Sequence, residues 1–114
     1  MELSEYTIYQ KCIEASAACA VACLRCAKEI KKEQKSVVME ALVEMLFACA
    51  AVSLLNLKSL ASESEFLQEA CNKCEELCAE CELACEKLAH LEYFKITALA
   101  CGNCAMECKL ITEM

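Results

Sequence analysis

The sequence predicts an all-α protein, an antiparallel up-down-up-down four-helix bundle with a cysteine-lined core. Three observations predict it. The 114 residues include no proline and one glycine, and Ala, Leu, Glu and Lys outnumber the β-branched and aromatic residues, a composition that favours helix almost throughout. Most of the thirteen cysteines lie three, four or seven residues from the next one, the step that keeps side chains on one helical stripe. Short polar breaks divide the chain into four long segments, and short connections join antiparallel neighbours in a bundle.

The first helix is expected from about Ser4, a candidate N-cap, to Lys32, with Lys28, Lys31 and Lys32 placed to complement the negative end of the macrodipole. It carries Cys12, Cys19, Cys23 and Cys26 on one face, with Ala15, Ala18, Ala22 and Ala27 around them. Small neighbours let helices approach and leave room beside sulfur. Residues Glu33 to Lys35 form a polar connection, and Ser36 is the expected cap of the second helix, Val37 to Leu60. That helix holds a single cysteine, Cys49, within the run MLFACAAVSLL from Met45 to Leu55. A helix apolar nearly all round is buried on more than one side. The run is short for a membrane span and is bounded by Glu44, Asn56 and Lys58, so it reads as a helix facing both its own core and a partner subunit.

Ser62 or Ser64, with Glu65, is the expected cap of the third helix, Glu65 to Leu88. Its CNKCEELCAECELAC run places Cys71, Cys74, Cys78, Cys81 and Cys85 at spacings of 3, 4, 3 and 4. A strand would scatter them over two faces. Lys73, Glu75, Glu76, Glu80 and Glu82 lie between them and suit a solvated face. After a turn holding His90, the only histidine, the fourth helix runs from Glu92 to Thr112 and carries Cys101, Cys104 and Cys108. The whole chain, residues 1–114, reads as one domain. Extending the stripes gathers Ile30, Leu42, Phe94 and His90 at one end as an apolar plug. Cys12, Cys71 and Cys108 gather at the other, so that sulfur is expected to reach close to that end. Ser16, Ser53 and Thr97 also fall on the stripes.

The net charge of −7 argues against nucleic acid as a partner. A short chain this rich in cysteine can be a secreted disulfide scaffold. The first residues show neither a basic region nor an apolar one, so no export signal is read and a cytoplasmic location is expected. Helical neighbours also hold their β-carbons about 5–6 Å apart, against roughly 3.5–4.5 Å for a disulfide. Reduced thiols are therefore expected.

Cys49 alone would be ordinary core packing, since free cysteine behaves as a small hydrophobe. Thirteen on one periodic surface do not fit that reading, because Leu and Ile bury more area per position, and metal–thiolate bonds would compensate for the weaker core. Soft thiolates select Cu(I), Zn(II) or iron–sulfur clusters. Pairs four apart, namely Cys19/Cys23, Cys74/Cys78, Cys81/Cys85 and Cys104/Cys108, can clamp a d¹⁰ ion of low coordination number such as Cu(I). Pairs three apart, such as Cys23/Cys26 and Cys101/Cys104, can link clamps. A monovalent ion replacing one proton leaves the buried site neutral, whereas a divalent ion at one per thiol would bury positive charge. The expected ligands are all thirteen cysteines, with His90 as an added candidate. Met45 more simply fills core space, and Met106 points away from Cys104 and Cys108.

These residues resemble the bacterial copper storage proteins, the cysteine-rich four-helix-bundle family often named Csp. The features that carry the resemblance are Cys12 with the CAVACLRC run, the five-cysteine run from Cys71 to Cys85, and CGNCAMEC near the C-terminus. The resemblance covers nearly the whole chain. It implies storage of many Cu(I) ions inside each bundle by thiolates, assembly as a homotetramer, and a place closest to the cytosolic branch. His90 lies where family members place histidines at the bundle mouth. Cytosolic members usually carry more cysteines and several such histidines. Ser16, Ile30, Leu42, Ser53, Phe94 and Thr97 interrupt the lining here, so a lower capacity is expected.

No catalytic constellation or phosphate loop is visible, so the chain is not expected to be an enzyme. The competing readings are an iron–sulfur or a zinc-binding thiolate protein, or a purely structural helical oligomer. The ferredoxin cysteine run with its proline is absent.

Overall fold

Alanine, leucine and long charged residues fill every turn of the chain, and the helices they favour account for nearly all of it. The structure, a computed structural model, describes residues 3–33 and 36–114. Among the described residues it contains α1 (Leu3–Glu33), α2 (Val37–Ala61), α3 (Leu67–Glu86) and α4 (Glu92–Thr112), and no strand. Each helix packs on two neighbours, α1 on α2, α2 on α3, α3 on α4 and α4 on α1, and among the described residues the diagonal backbones stay apart, meeting only through side chains at the axis. This is a closed ring around one long axis, 47 × 22 × 18 Å in extent. The pairing is antiparallel. Cys12 near the start of α1 meets Cys108 near the end of α4, while Cys23, further along α1, meets Cys101, earlier in α4.

The helix ends differ in detail from the sequence expectation. α1 already includes Leu3, so Ser4 lies inside the helix rather than capping it, and the connection beyond Glu33 falls outside the described residues. Ser36 caps α2 as expected, its Oγ accepting from the Met39 amide at 3.2 Å. Ser62 closes α2 instead of opening α3, donating through Oγ to the Lys58 carbonyl. Ser64 instead orders the turn, its Oγ accepting from the Phe66 amide, and α3 begins at Leu67 without a side-chain cap. Between them Glu63 adopts a left-handed backbone, φ 49°. The Ser64 amide donates to the Ser59 carbonyl and the Glu63 amide to the Leu60 carbonyl, the bonding pattern of a Schellman stop.

Along the axis the core changes composition. At the His90 end Ile30, Leu42 and Phe94 are buried, forming the expected apolar plug. The opposite end departs from expectation. One turn beyond Cys71 and Cys108, Leu67 and Ile111 are also buried, as is Leu60 one turn beyond Asn56 on α2, and Ile8 and Tyr9 of α1 pack partly buried against the core. Sulfur therefore stops a full turn short of that end, and both ends of the bundle are closed. The missed plug is on the same stripe: Leu67 lies four residues before Cys71, and Ile111 three after Cys108.

The left-handed position at Glu63 supplies a stability test. An L-residue there costs about 1–2 kcal/mol that glycine avoids, offset by glycine's greater chain entropy. Glu63→Gly is expected to stabilise the metal-free protein by up to about 1 kcal/mol, read as a higher urea midpoint. A lowered midpoint would mean that the Glu63 side chain contributes more than its backbone costs.

Candidate metal centre

The heptad-like steps of α1, α3 and α4 deliver their cysteines to the axis, and α2 completes the ring with one thiol and two polar side chains. All thirteen thiols are free and buried, none more than 1% exposed. Cys19 occupies the middle of the column. Its sulfur lies 3.8 Å from Cys49 of α2, 3.7 Å from Cys78 of α3 and 3.7 Å from Cys101 of α4. Cys49 and Cys78 are themselves 3.7 Å apart, so Cys19 meets a thiol from each of the other three helices. Toward one side Cys23 approaches Cys101 at 3.7 Å. Toward the other, Cys74 lies 3.8 Å from Cys78 and 3.7 Å from Cys104, and Cys12 lies 3.7 Å from Cys108.

Among the described residues, groups of thiols with all sulfurs within 4.8 Å of one another include Cys19/Cys23/Cys49/Cys101, Cys19/Cys78/Cys104 and Cys74/Cys104/Cys108. An ion about 2.3 Å from each sulfur would space them about 4.0 Å apart in a trigonal plane and about 3.8 Å apart in a tetrahedron. The observed spacing accommodates either with small side-chain shifts. Two members recur, Cys19 in the first two groups and Cys104 in the last two. With both groups filled, a shared thiolate would bridge two ions, so the arrangement suits an array better than separate single-ion sites. Clamps within one helix do occur, as at Cys74/Cys78. The shortest approaches are nevertheless mostly between helices, because the ring brings four stripes to one axis. Cys49, unremarkable by itself, stands at the centre of the array.

Where the array is interrupted, the structure supplies polar groups that sequence reasoning did not assign to the site. Ser16 Oγ lies 3.7 Å from Cys104, and Ser53 Oγ lies 3.8 Å from both Cys74 and Cys78. Asn56 is fully buried. Its Nδ2 donates to Ser16 Oγ at 3.1 Å, to Cys108 Sγ at 3.4 Å and to Cys12 Sγ at 3.6 Å, while its Oδ1 has no hydrogen-bond partner. The signal was there to read, since Asn56 is one heptad beyond Cys49 and therefore on its stripe. The side of α2 that faces the core thus runs from leucine through sulfur to hydroxyl and amide.

The thiols cannot all carry the same charge. Hydrogen bonds from Cys108 and Cys71, helped by Ser16 and Asn56, outweigh burial and hold Cys12 down at about 4. At Cys71 the bond with Cys108 pulls downward, but Cys12 and burial prevail and push it up to about 12. Cys101 and Cys104 lower Cys19, and Cys104 lowers Cys74. Cys78, Cys101 and Cys108 are raised by the neighbours they bond. Neighbouring thiols that share a hydrogen bond are therefore pushed in opposite directions, as at Cys12 and Cys71.

The remaining candidates lie outside the array. His90 is exposed in the turn between α3 and α4 and joins none of the close groups. Met45 is half-buried against the core, and Met106 is exposed. The single glycine, Gly102, faces Glu82 of α3, whose carboxylate occupies the space a β-carbon would need.

Comparison with known proteins meets this geometry directly. Residues 5–113 match the Csp family, described as Copper storage protein. The chain is 29% identical over 100 residues to the uncharacterized cysteine-rich protein YhjQ of Bacillus subtilis (strain 168), covering 88% of this chain and 92% of that one. The Cu(I)-bound copper storage protein BsCsp3 superposes with a TM-score of 0.85 at 27% identity, covering 92% of this chain and 98% of the other. The protein Nmul_A1745 of Nitrosospira multiformis superposes with a TM-score of 0.83 at 27% identity, covering 94% and 96%. With a shared-thiol column inside a four-helix ring, and a family match that spans all four helices, this chain belongs to the copper storage protein family.

Proposed function

We propose that the chain stores Cu(I) ions in its core, with Cys12, Cys19, Cys23, Cys26, Cys49, Cys71, Cys74, Cys78, Cys81, Cys85, Cys101, Cys104 and Cys108 as the ligands. The observation that carries this reading is the sharing of Cys19 and Cys104 between close thiol groups. Shared thiolates suit a filled array of monovalent ions, in which each ion displaces about one proton and the buried column stays near neutral. The Cu(I)-bound state of BsCsp3, a relative of the same fold, supports the same cargo here. His90 enters only as a surface donor beside the Ile30 end. The residues 1–114 act as one domain with a storage role and not as an enzyme, and free thiols throughout suit a cytoplasmic location.

The four-thiol group Cys19/Cys23/Cys49/Cys101 has the donor set of a structural zinc site, which gives the competing reading a specific place. Cu(I) fits better, because that group shares Cys19 with its neighbour. The separating experiment is anaerobic titration of the reduced protein with Cu(I) against a competing chelator, with released protons recorded. About ten or more ions per chain, with roughly one proton released per thiol, is expected. Saturation at one or two ions would sink the storage reading and favour a single zinc-type site.

We also read the protein as a homo-oligomer, a tetramer in keeping with the resemblance. α2 is long and apolar enough to cross a membrane by length and composition alone, with 33% of its most apolar window buried. Its core face, however, carries Cys49, Ser53 and Asn56, which favours a wall of the bundle. Its outer face exposes Val37 at 82%, Val38 at 73%, Leu54 at 49% and Leu55 at 55%. An apolar face of this kind is covered by a second copy in many helical oligomers. The double variant Leu54→Lys/Leu55→Lys is expected to lower the sedimentation mass with little change in helix content. An unchanged assembly would remove α2 from the interface.

A further inference from the structure

Copper that fills a closed column must reach it from somewhere, and both ends of this column are sealed. Phe94 and Ile30 close one, and Leu60 and Ile111 the other, all at most 2% exposed. The side wall is different. Between α1 and α4 runs a groove of about 770 Å³, a size within the range of small-molecule sites. Its walls combine small side chains, Ala18, Ala22 and Ala100, with the larger Val21, Tyr93 and Ile96, and among the cysteines only Cys26 lines it. Beside Cys26 on the floor is Thr97, whose hydroxyl donates to the Tyr93 carbonyl at 2.7 Å and reaches the Ala22 carbonyl of α1 at 3.3 Å. Cys85 of α3 is the neighbour that does most to lower the Cys26 thiol. Arg25 stands at the rim with Glu29 and Glu92, so the rim offers one guanidinium and two carboxylates.

Resting on the storage reading above, we propose that this lateral groove is the loading port, and that it receives Cu(I) carried by a small zwitterionic thiol. Arg25 suits the carboxylate of such a carrier and Glu29 or Glu92 its ammonium group, while the alanines leave room for its short apolar stem. The transfer is ligand exchange without redox change. Cys26 sulfur bonds to the copper as one carrier thiolate leaves, and the Cys26 proton goes to that departing thiolate. Cys85 then displaces the second carrier thiolate in the same way, giving a Cys26–Cu–Cys85 pair from which the ion passes inward along the column.

The test is anaerobic stopped-flow transfer of Cu(I) from its L-cysteine complex to the reduced full-length protein, with final capacity measured separately. Ala18→Leu and Ala100→Leu fill the groove from opposite helices. Each is expected to slow uptake at least tenfold while the final number of ions is unchanged. Cys26→Ser is expected to remove the fast phase and to lower capacity by no more than about one or two ions. Uptake at the wild-type rate in both groove-filled variants would overturn the port. Slowed uptake accompanied by a changed sedimentation mass would also overturn it, by making the groove a contact between copies. Failure of the wild-type protein to take up more than one or two ions would instead overturn the storage reading itself.

Discussion

Thirteen buried thiols, many of their sulfurs 3.7–3.8 Å from a neighbour, cannot all be charged in a core that water does not enter, and the rest of the molecule follows from that constraint. Ionising one thiol raises the cost of ionising the next, so bonded neighbours are pushed in opposite directions, Cys12 held low and Cys71 held high. Exchanging protons for a singly charged soft cation leaves this balance almost untouched. A doubly charged ion at the same density would not. The charge rule, more than any single coordination geometry, is what links this sequence to Cu(I).

The bundle is the scaffold that this rule requires. A helix holds successive thiols on one side, and four antiparallel helices bring their stripes to a common axis, so Cys19 can touch partners on α2, α3 and α4 at once. A core of Cys and Ala buries less apolar surface than one of Leu and Ile. The structure compensates at the ends, where Ile30, Leu42 and Phe94 on one side and Leu60, Leu67 and Ile111 on the other supply the large buried side chains. The stable ends and the yielding middle divide folding from storage along one axis. Asn56 and the serines mark the border on one side, with hydrogen bonds in place of metal–sulfur bonds.

Much of this was legible in the residues. Periods of three and four placed the cysteines of α1, α3 and α4 on inward faces because helical geometry leaves no alternative, and the bundle topology followed from short connections. What escaped was whatever depends on which helices meet. Spacing along one helix emphasised clamps such as Cys74/Cys78, whereas the closest sulfur neighbours of Cys19 come from three other helices. The place of Asn56 and the second apolar plug lay on the same stripes, but only packing shows that Asn56 shares a layer with Cys12 and Cys108 and that the plug closes the end beyond them. The caps of α3 were misplaced because Ser62 can serve the preceding helix as readily as the following one, and the left-handed turn at Glu63 decided between them.

The central claim is that the thiols form one array with shared ligands. X-ray absorption at the copper edge of the fully loaded, anaerobic protein tests it most directly. The account predicts a first shell of sulfur alone, two or three per copper, and a clear copper–copper shell from bridging thiolates. A first shell dominated by nitrogen or oxygen, or sulfur ligation without any copper–copper shell at full loading, would contradict it.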